Sequence, residues 1–417
     1  MDGKELVEKL AKLSQVQSIK DIPQLTHALF PGTHCPLMGA AMAVGGIKDS
    51  LIVVVGTDEC TYYTKSMTIH SEKFGGIDGR CVSVVLDDHD VTFGSAEKVQ
   101  EAFKEIIEEY RPQCVFLVTT CVIEIIGDDF DAISEGLSKL YGIPVLPVHT
   151  EHFKCEDHLP GLERTITVCA EMMKSCDCDN SVNLLGQRMG DFATTELYAM
   201  LQKAGVKIGL QLSCGCSVDD IKNAAAAKVN IVVNDIALPL AQKMQEKFGI
   251  PYVYFNKFVI PEKIYEAYKN LFVYLDLELP GELEGLYQNA REKIEKNKGE
   301  LEGITYIYGN TPYAVFEMNC FLSSLGMVPQ VIQTNRYTEA DEPYAKEILQ
   351  YTDPYVCKAA NIAPLQYVYD VLSPYLYLGH EFGNRLRQKG IAIVHSDRAS
   401  GMLGFEVTGY LLQQLVK

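Results

Sequence analysis

The segment Leu51-Ile-Val-Val-Val-Gly-Thr-Asp-Glu-Cys60 is an apolar, β-branched run that ends at a glycine and is soon followed by a cysteine. A similar run, Cys114-Val-Phe-Leu-Val-Thr-Thr-Cys121, also leads into a cysteine. Continuous apolar runs of this length are typical of strands in parallel sheets that are buried on both faces. The two cysteines are therefore predicted on loops just past the carboxyl ends of parallel strands, where open α/β sheets hold ligands.

A third cysteine, Cys35, lies in the glycine-bearing segment His34-Cys-Pro-Leu-Met-Gly-Ala40. Thiolates are soft donors that suit iron–sulfur clusters, and glycines let the backbone approach a cluster closely. Any one of these cysteines alone is better explained as an ordinary buried residue. Three cysteines that each lie in a glycine-bearing segment favour ligation of a metal cluster instead. Because four thiolates usually hold a cubane cluster, three predict a cluster completed by a second subunit.

Apolar strands and helical segments alternate along the rest of the chain, which predicts parallel sheets covered by helices. The predicted strands are Leu51–Val55, Cys81–Leu86, Cys114–Val118, Pro144–Val148, Val182–Leu185, Ile208–Leu212, Ile231–Val233, Tyr252–Tyr254, Thr305–Tyr308, Val331–Gln333, Tyr375–Leu378 and Ile391–Val394.

Two polar stretches divide this succession into three Rossmann-like units. Lys174–Asn180 is a polar boundary, and Glu282–Glu302 is predicted as a solvated connector helix because it shows no wide apolar stripe. The predicted domains are residues 1–178 with the cluster cysteines, 179–280, and 281–417 with the connector. An amphipathic helix is predicted near the amino terminus, over Lys4–Leu13.

Composition excludes several classes of protein. With 417 residues and 47% hydrophobic residues, the chain is long enough for two or three cores. No apolar run is long enough to span a membrane, and the charged amino terminus lacks a signal peptide's apolar stretch, which predicts a cytoplasmic protein without membrane partners. Thirteen cysteines in such a chain indicate reduced, partly metal-bound thiols rather than a disulfide framework. A net charge of −18 argues against nucleic acid as a partner.

Several segments, among them the frame of Cys60, Lys247-Phe-Gly-Ile-Pro251 and the five described next, resemble the nitrogenase component 1 superfamily, which includes molybdenum–iron protein subunits, a cofactor-assembly scaffold and reductases of tetrapyrroles. The segments around Cys35 and Cys121 are similar to the β-type subunit, the latter as Thr-Thr-Cys-x-x-Glu-x-Ile-Gly-Asp-Asp. The others are Asp90-Val-Thr-Phe-Gly-Ser95, Asn230-Ile-Val-Val-Asn-Asp235 and Ile391-Ala-Ile-Val-His-Ser396. The resemblance implies three Rossmann-like domains around a central cavity.

The resemblance also implies a function. A component 1 subunit accepts electrons from an ATP-dependent, homodimeric iron protein through an interfacial cluster of the 4Fe-4S or 8Fe-7S type. Here Cys35, Cys60 and Cys121 would hold that cluster together with the equivalents from a second subunit, identical or homologous. The electrons would pass to a substrate or metal cofactor in the cavity. This chain has no nucleotide-binding glycine motif of its own.

Two positions match the pocket that holds the catalytic cluster in nitrogenase α subunits. His395 stands at the position of the family's histidine ligand, but Asn234 stands where those subunits carry a cysteine. An amide is a poor ligand for a soft metal. The cavity is therefore expected to hold a differently ligated metallocluster, a tetrapyrrole-like organic substrate, or nothing.

Two further loops carry candidate residues. His152 and His158 lie in a histidine-rich stretch that begins at His149 and follows the strand ending at Val148. Their spacing fits no standard zinc pattern. The resemblance implies that this loop lies between the interfacial cluster and the cavity, where the two histidines would be proton donors or binding groups; the alternative is that they belong to a hydrogen-bonded loop. Arg188, on a strand-to-helix loop, either pairs with an anionic cofactor or substrate or is a surface arginine.

The sequence leaves two alternatives to the electron-transfer function. One is a non-catalytic scaffold on which a nitrogenase-type metallocluster is assembled and handed on, which the loss of a thiolate at Asn234 would suit. The other is a structural β-type partner whose active cavity lies in another subunit. His152, His158 and His395 are the candidates for binding or protonating an acceptor if the cavity is active.

Overall fold

The computed structural model describes residues 2–25, 34–69, 79–155, 157–187, 190–212, 215–309, 311–359, 362–381 and 383–416. Within these ranges the strands are β1 (Ala11–Lys12), β2 (Ile47–Lys48), β3 (Ser50–Gly56), β4 (Cys81–Val85), β5 (Cys114–Thr119), β6 (Val145–Val148), β7 (Val182–Leu185), β8 (Ile208–Leu212), β9 (Cys216–Ser217), β10 (Val229–Val232), β11 (Tyr252–Tyr254), β12 (Thr305–Tyr308), β13 (Val328–Gln333), β14 (Tyr355–Cys357), β15 (Leu376–Leu378) and β16 (Ala392–Val394). The helices are α1 (Gly3–Glu8), α2 (Pro36–Gly45), α3 (Asp58–Ile69), α4 (Asp88–Phe93), α5 (Ala96–Tyr110), α6 (Cys121–Ile126), α7 (Phe130–Tyr141), α8 (Leu159–Val168), α9 (Glu196–Lys203), α10 (Val218–Lys222), α11 (Leu238–Phe248), α12 (Pro261–Leu275), α13 (Leu283–Leu301), α14 (Val315–Ser324), α15 (Glu342–Ile348), α16 (Ile362–Leu372), α17 (Gly383–Gln388) and α18 (Phe405–Leu415).

The first sheet has the order β4-β3-β5-β6 and is parallel throughout. Residues of β3 alternate between two cores: Ile52 and Val54 lie in one with α2 and α8, and Leu51, Val53 and Val55 lie in another with α5 and α7. Because helices cover both faces, every residue of β3 is buried. That burial is the physical reason why the strand has an unbroken apolar sequence.

Two further sheets of four or more strands follow along the chain, and β2 pairs in parallel with β9 as a two-stranded sheet. The second, β11-β10-β7-β8, is also parallel. The third has the order β1-β14-β13-β12-β15-β16, in which only β1 is antiparallel to its neighbour among the described strands. The α/β class with helix-flanked parallel sheets is confirmed, whereas the domain boundaries and the central cavity stay predictions.

The amino-terminal segment differs from the prediction. The helix predicted over Lys4–Leu13 ends early, at Glu8, and residues 11 and 12 form β1, which pairs with β14. Lys12 Nζ lies 3.7 Å from the centre of the Tyr355 ring and donates a hydrogen bond of 2.8 Å to Asp353 O. The segment thus lies on the third sheet although it precedes the first, because pairing with a distant strand outweighs local helical periodicity.

The connector helix also differs from the prediction in one respect. Helix α13 forms where it was expected, but it is not fully solvated. It packs against α12 and α18 and buries Leu283, Ala290 and Leu301. Widely spaced small and apolar residues are enough for a narrow buried face, which the search for a broad apolar stripe overlooked.

Two further features of the described ranges concern the state of the cysteines and the length of the helices. The cysteines there are free thiols, several of them buried as small apolar side chains. No helix in those ranges has both the length and the apolar character needed to cross a lipid bilayer.

Candidate functional site

The three predicted cluster cysteines each lie at the start of a helix. Cys35 directly precedes α2, Cys60 lies in the first turn of α3, and Cys121 is the first residue of α6. The latter two were predicted on loops, but the connections from β3 and β5 are so short that the helices begin almost at once. The N-terminal ends of α2 and α3 carry partial positive charge, which favours a thiolate there.

The three thiols lie close enough to affect one another. Burial raises the pKa of Cys60, and charge on Cys35 raises it further, while a hydrogen bond with Cys121 opposes the shift. Burial also raises the pKa of Cys121, with added contributions from charge on Cys60 and Cys35. All three are only partly exposed. Thiolates crowded in this way repel each other, and a cationic metal centre between them would relieve that repulsion.

Glycines set the positions of the elements that carry these cysteines. A Cβ atom on Gly56, at the end of β3, would lie 2.2 Å from Thr120 Oγ1, beside Cys121. A Cβ on Gly39 of α2 would lie 2.0 Å from His158 O, and one on Gly161 of α8 would lie 1.8 Å from Pro36 O. Because these contacts exclude even a methyl group, α2 and α8 pack backbone to backbone.

The histidine-rich stretch lies beside the cysteines. His152, in a short 3₁₀ helix after β6, places its Nδ1 3.2 Å from Cys121 Sγ. His158 directly precedes α8, and its ring centre lies 6.3 Å from that of His34, the neighbour of Cys35. His34 Nδ1 is in turn 2.5 Å from the hydroxyl of Tyr63. His152 therefore lies beside Cys121, whereas His158 lies beside the histidine that precedes Cys35.

Glu124 fixes this stretch against α6. Its Oε1 atom accepts hydrogen bonds from Thr119 Oγ1 (2.8 Å), Thr150 Oγ1 (3.2 Å) and the backbone N–H of Glu151 (2.7 Å). Glu151 adopts a left-handed φ of 43°, which is strained for a residue other than glycine. One carboxylate oxygen thus connects the helix of Cys121 with the loop of His152. In the sequence, Glu124 was only part of a motif, because two of its three partners, Thr150 and Glu151, follow the neighbouring strand β6.

We expect Glu124→Ala to lower the free energy of unfolding by about 1–3 kcal/mol, because the buried Thr150 hydroxyl and the backbone N–H of Glu151 lose their acceptor, and the Thr119 hydroxyl keeps only its longer contact of 3.3 Å to Val148 O. Glu124→Gln should retain most of the stability, since its amide oxygen can still accept. The matched control is Glu135→Ala on α7, whose exposed carboxylate pairs only with exposed Lys139 among the interactions described and should cost less than about 0.5 kcal/mol. Urea unfolding under anaerobic conditions measures all three. Equal losses in Glu124→Ala and Glu135→Ala would contradict the positioning role.

The region beside Cys121 and His152 has an apolar surface. Tyr62, Ile125 and Phe153 are 71%, 71% and 72% exposed, and each is close in sequence to a predicted site residue. A pocket of about 340 Å³ is lined by residues of α6 and the histidine-rich stretch, among them Glu124, Ile125 and Phe153. Sequence patterns did not predict this pocket, because it forms between the segments that follow β5 and β6.

The remaining predicted residues lie apart from the cysteines. Asn234 is partly buried, and its Oδ1 accepts a hydrogen bond of 3.2 Å from the backbone N–H of Ile236, so it caps the 3₁₀ helix that follows β10. The adjacent Asp235 accepts hydrogen bonds from Tyr254 and Asn256. The asparagine therefore has a local structural role, and its role as a cofactor ligand stays a prediction.

His395 is exposed at the end of β16, with its ring centre 6.0 Å from that of His380. In the part of the chain that the structure describes, neither His395 nor Asn234 contacts the cluster cysteines by a hydrogen bond or ring contact. Arg188 lies outside the described residues. The geometry thus groups Cys35, Cys60, Cys121 and His152, with His158 beside His34, and leaves the predicted cavity residues separate.

Curated relatives with significant similarity are nitrogenase proteins. The nitrogenase iron-molybdenum cofactor biosynthesis protein NifE of Clostridium pasteurianum is 31% identical over 224 residues, which cover 52% of this chain and 49% of that protein. NifE of Rippkaea orientalis is 25% identical, over 76% of this chain and 69% of that protein. The nitrogenase molybdenum-iron protein alpha chain of Methanosarcina barkeri is 24% identical, over 75% and 62%. The matches thus span about half to two thirds of these relatives.

Solved structures show the same fold. A structure of nitrogenase Cp1 at pH 6.5 superposes with a TM-score of 0.78 at 15% identity, over 95% of this chain and 94% of that chain. A structure of nitrogenase Cp1 at pH 5 gives a TM-score of 0.65 at 18% identity, over 94% and 89%. A model of the nitrogenase component 1 type oxidoreductase family matches residues 35–417, beginning at the first of the three predicted cluster cysteines. This chain therefore belongs to the nitrogenase component 1 type oxidoreductase family.

Proposed function

We propose that this chain is a subunit of a nitrogenase-like component 1 that holds an iron–sulfur cluster at a subunit interface through Cys35, Cys60 and Cys121. The observation that carries the proposal is the convergence of three thiols from three separate segments on one partly exposed site. Disulfide chemistry does not explain the group, because these cysteines are free. Soft thiolates that crowd one another are the donor set expected for a cluster of the 4Fe-4S or 8Fe-7S type.

The chain's own residues would tune this site. When bound, the cluster would supply one-electron transfer at a potential set by its surroundings. The thiolates bind it, and the N-terminal ends of α2 and α3 stabilise their negative charge. His152, 3.2 Å from Cys121 Sγ, can donate a hydrogen bond to that sulfur. Glu124 would keep His152 in place through the loop contacts described above.

A second subunit would complete the cluster. Three thiolates are one short of the usual four, and exposed Tyr62, Ile125 and Phe153 provide an apolar surface near them. An identical or homologous component 1 subunit is the partner that would bury this surface. Electrons would come from an ATP-dependent iron protein and pass to a tetrapyrrole-like substrate or a second metallocluster in the interior, with His158 and His395 binding or protonating the acceptor.

A scaffold for metallocluster assembly is the second candidate. Two observations favour it: relatives of this chain are named as iron-molybdenum cofactor biosynthesis proteins, and Asn234 places an amide that already caps a 3₁₀ helix where a thiolate would bind a metal strongly. A site without that thiolate would suit a cluster that is held transiently and released. The two functions share the interfacial cysteines. They differ in the cavity: the oxidoreductase reduces an acceptor there, whereas the scaffold holds a metallocluster and releases it.

The experiment is anaerobic purification followed by iron and sulfide analysis and EPR. The proposal expects iron, acid-labile sulfide and a signal that changes when an ATP-dependent iron protein supplies electrons. Multiple turnovers of an added substrate would support the oxidoreductase, whereas transfer of a metallocluster to an acceptor protein without turnover would support the scaffold. Protein that stays iron-free after cluster reconstitution would rule out both.

A further inference from the structure

A second group of metal-binding side chains lies on the third sheet, away from the cysteines. His380 follows β15, and His395 and Asp397 follow β16. The strands β15 and β16 pair in parallel, with Leu378 opposite Val394. Their carboxyl ends therefore meet at one edge of the sheet, and the three side chains are brought together there although 15 residues of sequence separate the two histidines.

The geometry of this group is close to that of a metal site. One ligand atom from each of the three side chains lies within 4.8 Å of the others. His380 Nε2 is 2.6 Å from Asp397 Oδ1, and the two imidazole rings are centred 6.0 Å apart. All three side chains are exposed, which leaves them free to rotate.

We propose that His380, His395 and Asp397 bind a single divalent transition-metal ion. Two imidazoles and one carboxylate are a donor set for ions such as zinc or iron(II). A metal bound at about 2.0–2.2 Å holds its ligand atoms roughly 3.0–3.5 Å apart, so small rotations of the exposed side chains would close the site. The hydrogen bond between His380 and Asp397 would be exchanged for two bonds to the metal.

This site goes beyond the proposed function: it shares only His395 with it, uses none of the cluster cysteines, and has borderline donors that suit a lone ion rather than an iron–sulfur cluster. Three protein ligands leave at least one coordination position for water or a small oxygen or nitrogen ligand. Because the ligands come from the ends of two neighbouring strands, the bound ion would also tie these strands together. Metal binding would then stabilise the folded protein by mass action.

The competing explanation is an ordinary surface ion pair between His380 and Asp397. The chain contains a matched example: His149 Nε2 lies 3.2 Å from Asp131 Oδ2, and both side chains are substantially exposed. Among the described residues, His149 and Asp131 have no third metal-binding side chain within 4.8 Å of both, whereas His380 and Asp397 have His395. His149→Ala is therefore the control for the loss of one histidine from an exposed ion pair.

The test is calorimetric titration of cluster-loaded, anaerobic protein with Zn²⁺. The expected result is a binding event in the wild type whose affinity falls by about 100-fold or more in His380→Ala and in Asp397→Ala, and is unchanged in His149→Ala. Zinc binding to cysteines that hold no cluster would contribute the same signal in every variant, so it would not affect the difference between variants. If wild type, His380→Ala and Asp397→Ala titrate alike, or if His149→Ala causes the same loss, the metal site is excluded.

Two further readouts keep the result interpretable. Zinc should raise the melting temperature of the wild type and of His149→Ala but not of Asp397→Ala, and zinc-edge X-ray absorption of the wild type should show imidazole ligands. Iron content and EPR, measured on the same samples, report the cysteine cluster independently. Failure of the zinc site with normal iron content would overturn this inference alone, whereas zinc binding without iron would overturn only the proposed cluster.

Discussion

Cys60→Ala protein, purified without oxygen, is expected to lose the reducible iron–sulfur signal and most of the iron of the wild type. The pKa of Cys60 is affected by both Cys35 and Cys121, so its thiol lies near both of the other predicted ligands. Alanine removes a thiolate from a set that is already one short of four within this chain. EPR of the reduced protein, with iron and sulfide analysis, measures the loss. The side chain is only partly buried, so the fold should remain.

The matched control is Cys176→Ala. Cys176 is an exposed free cysteine in the polar stretch between the first two predicted domains, and its removal should leave iron, sulfide and the EPR signal unchanged. Cys60→Ser adds a graded comparison, because an oxygen ligand can retain a cluster with an altered potential. A wild-type signal in Cys60→Ala would show that this cysteine is not a ligand. Loss of the signal in Cys176→Ala as well would point to a general effect of handling.

Gly161→Ala is expected to lower the free energy of unfolding by about 3 kcal/mol or more, although alanine is the better helix former. The new Cβ atom would lie 1.8 Å from Pro36 O. A backbone oxygen cannot rotate away as a side chain can, so α8 and α2 must separate. Urea unfolding gives the magnitude. Because Pro36 directly follows Cys35, we also expect reduced iron content after purification.

Gly136→Ala is the matched control for this effect. Gly136 is also within a helix, α7, but a Cβ atom there would meet nothing within 4 Å. The substitution should therefore raise stability by about 0.5–1 kcal/mol through helix propensity alone. If Gly161→Ala were as stable as Gly136→Ala, α2 and α8 could not pack as closely as described, and the placement of His158 against α2 would have to be revised.

The family and much of the fold could be predicted from the sequence because the decisive signals are local. Strands β3 and β5 are buried on both faces, so each is a continuous apolar run that needs no knowledge of its neighbours. The cysteine that follows each run could be recognised in the same way, because it lies in the same short stretch of sequence. The short strand β14 was missed, since three residues preceded by a proline carry little periodicity of their own.

Contacts between distant segments were decided only by the tertiary structure. Three contacts join segments whose relation depends on strand order: the pairing of β1 with β14, the hydrogen bonds from Thr150 and Glu151 to Glu124, and the approach of His152 to Cys121. Local sequence patterns carry no information about that order or about the register between strands.

The same division holds for the two candidate metal sites. Soft thiolates in glycine-bearing frames indicated an iron–sulfur cluster from the sequence alone, because the ligand type and its frame are both local. The grouping of His380, His395 and Asp397 was not predicted, and His395 was assigned only by resemblance. Parallel pairing of β15 with β16 brings these side chains to one edge of the sheet. The sequence thus determined which chemistry the chain can offer, and the packing of its strands decided where those groups meet.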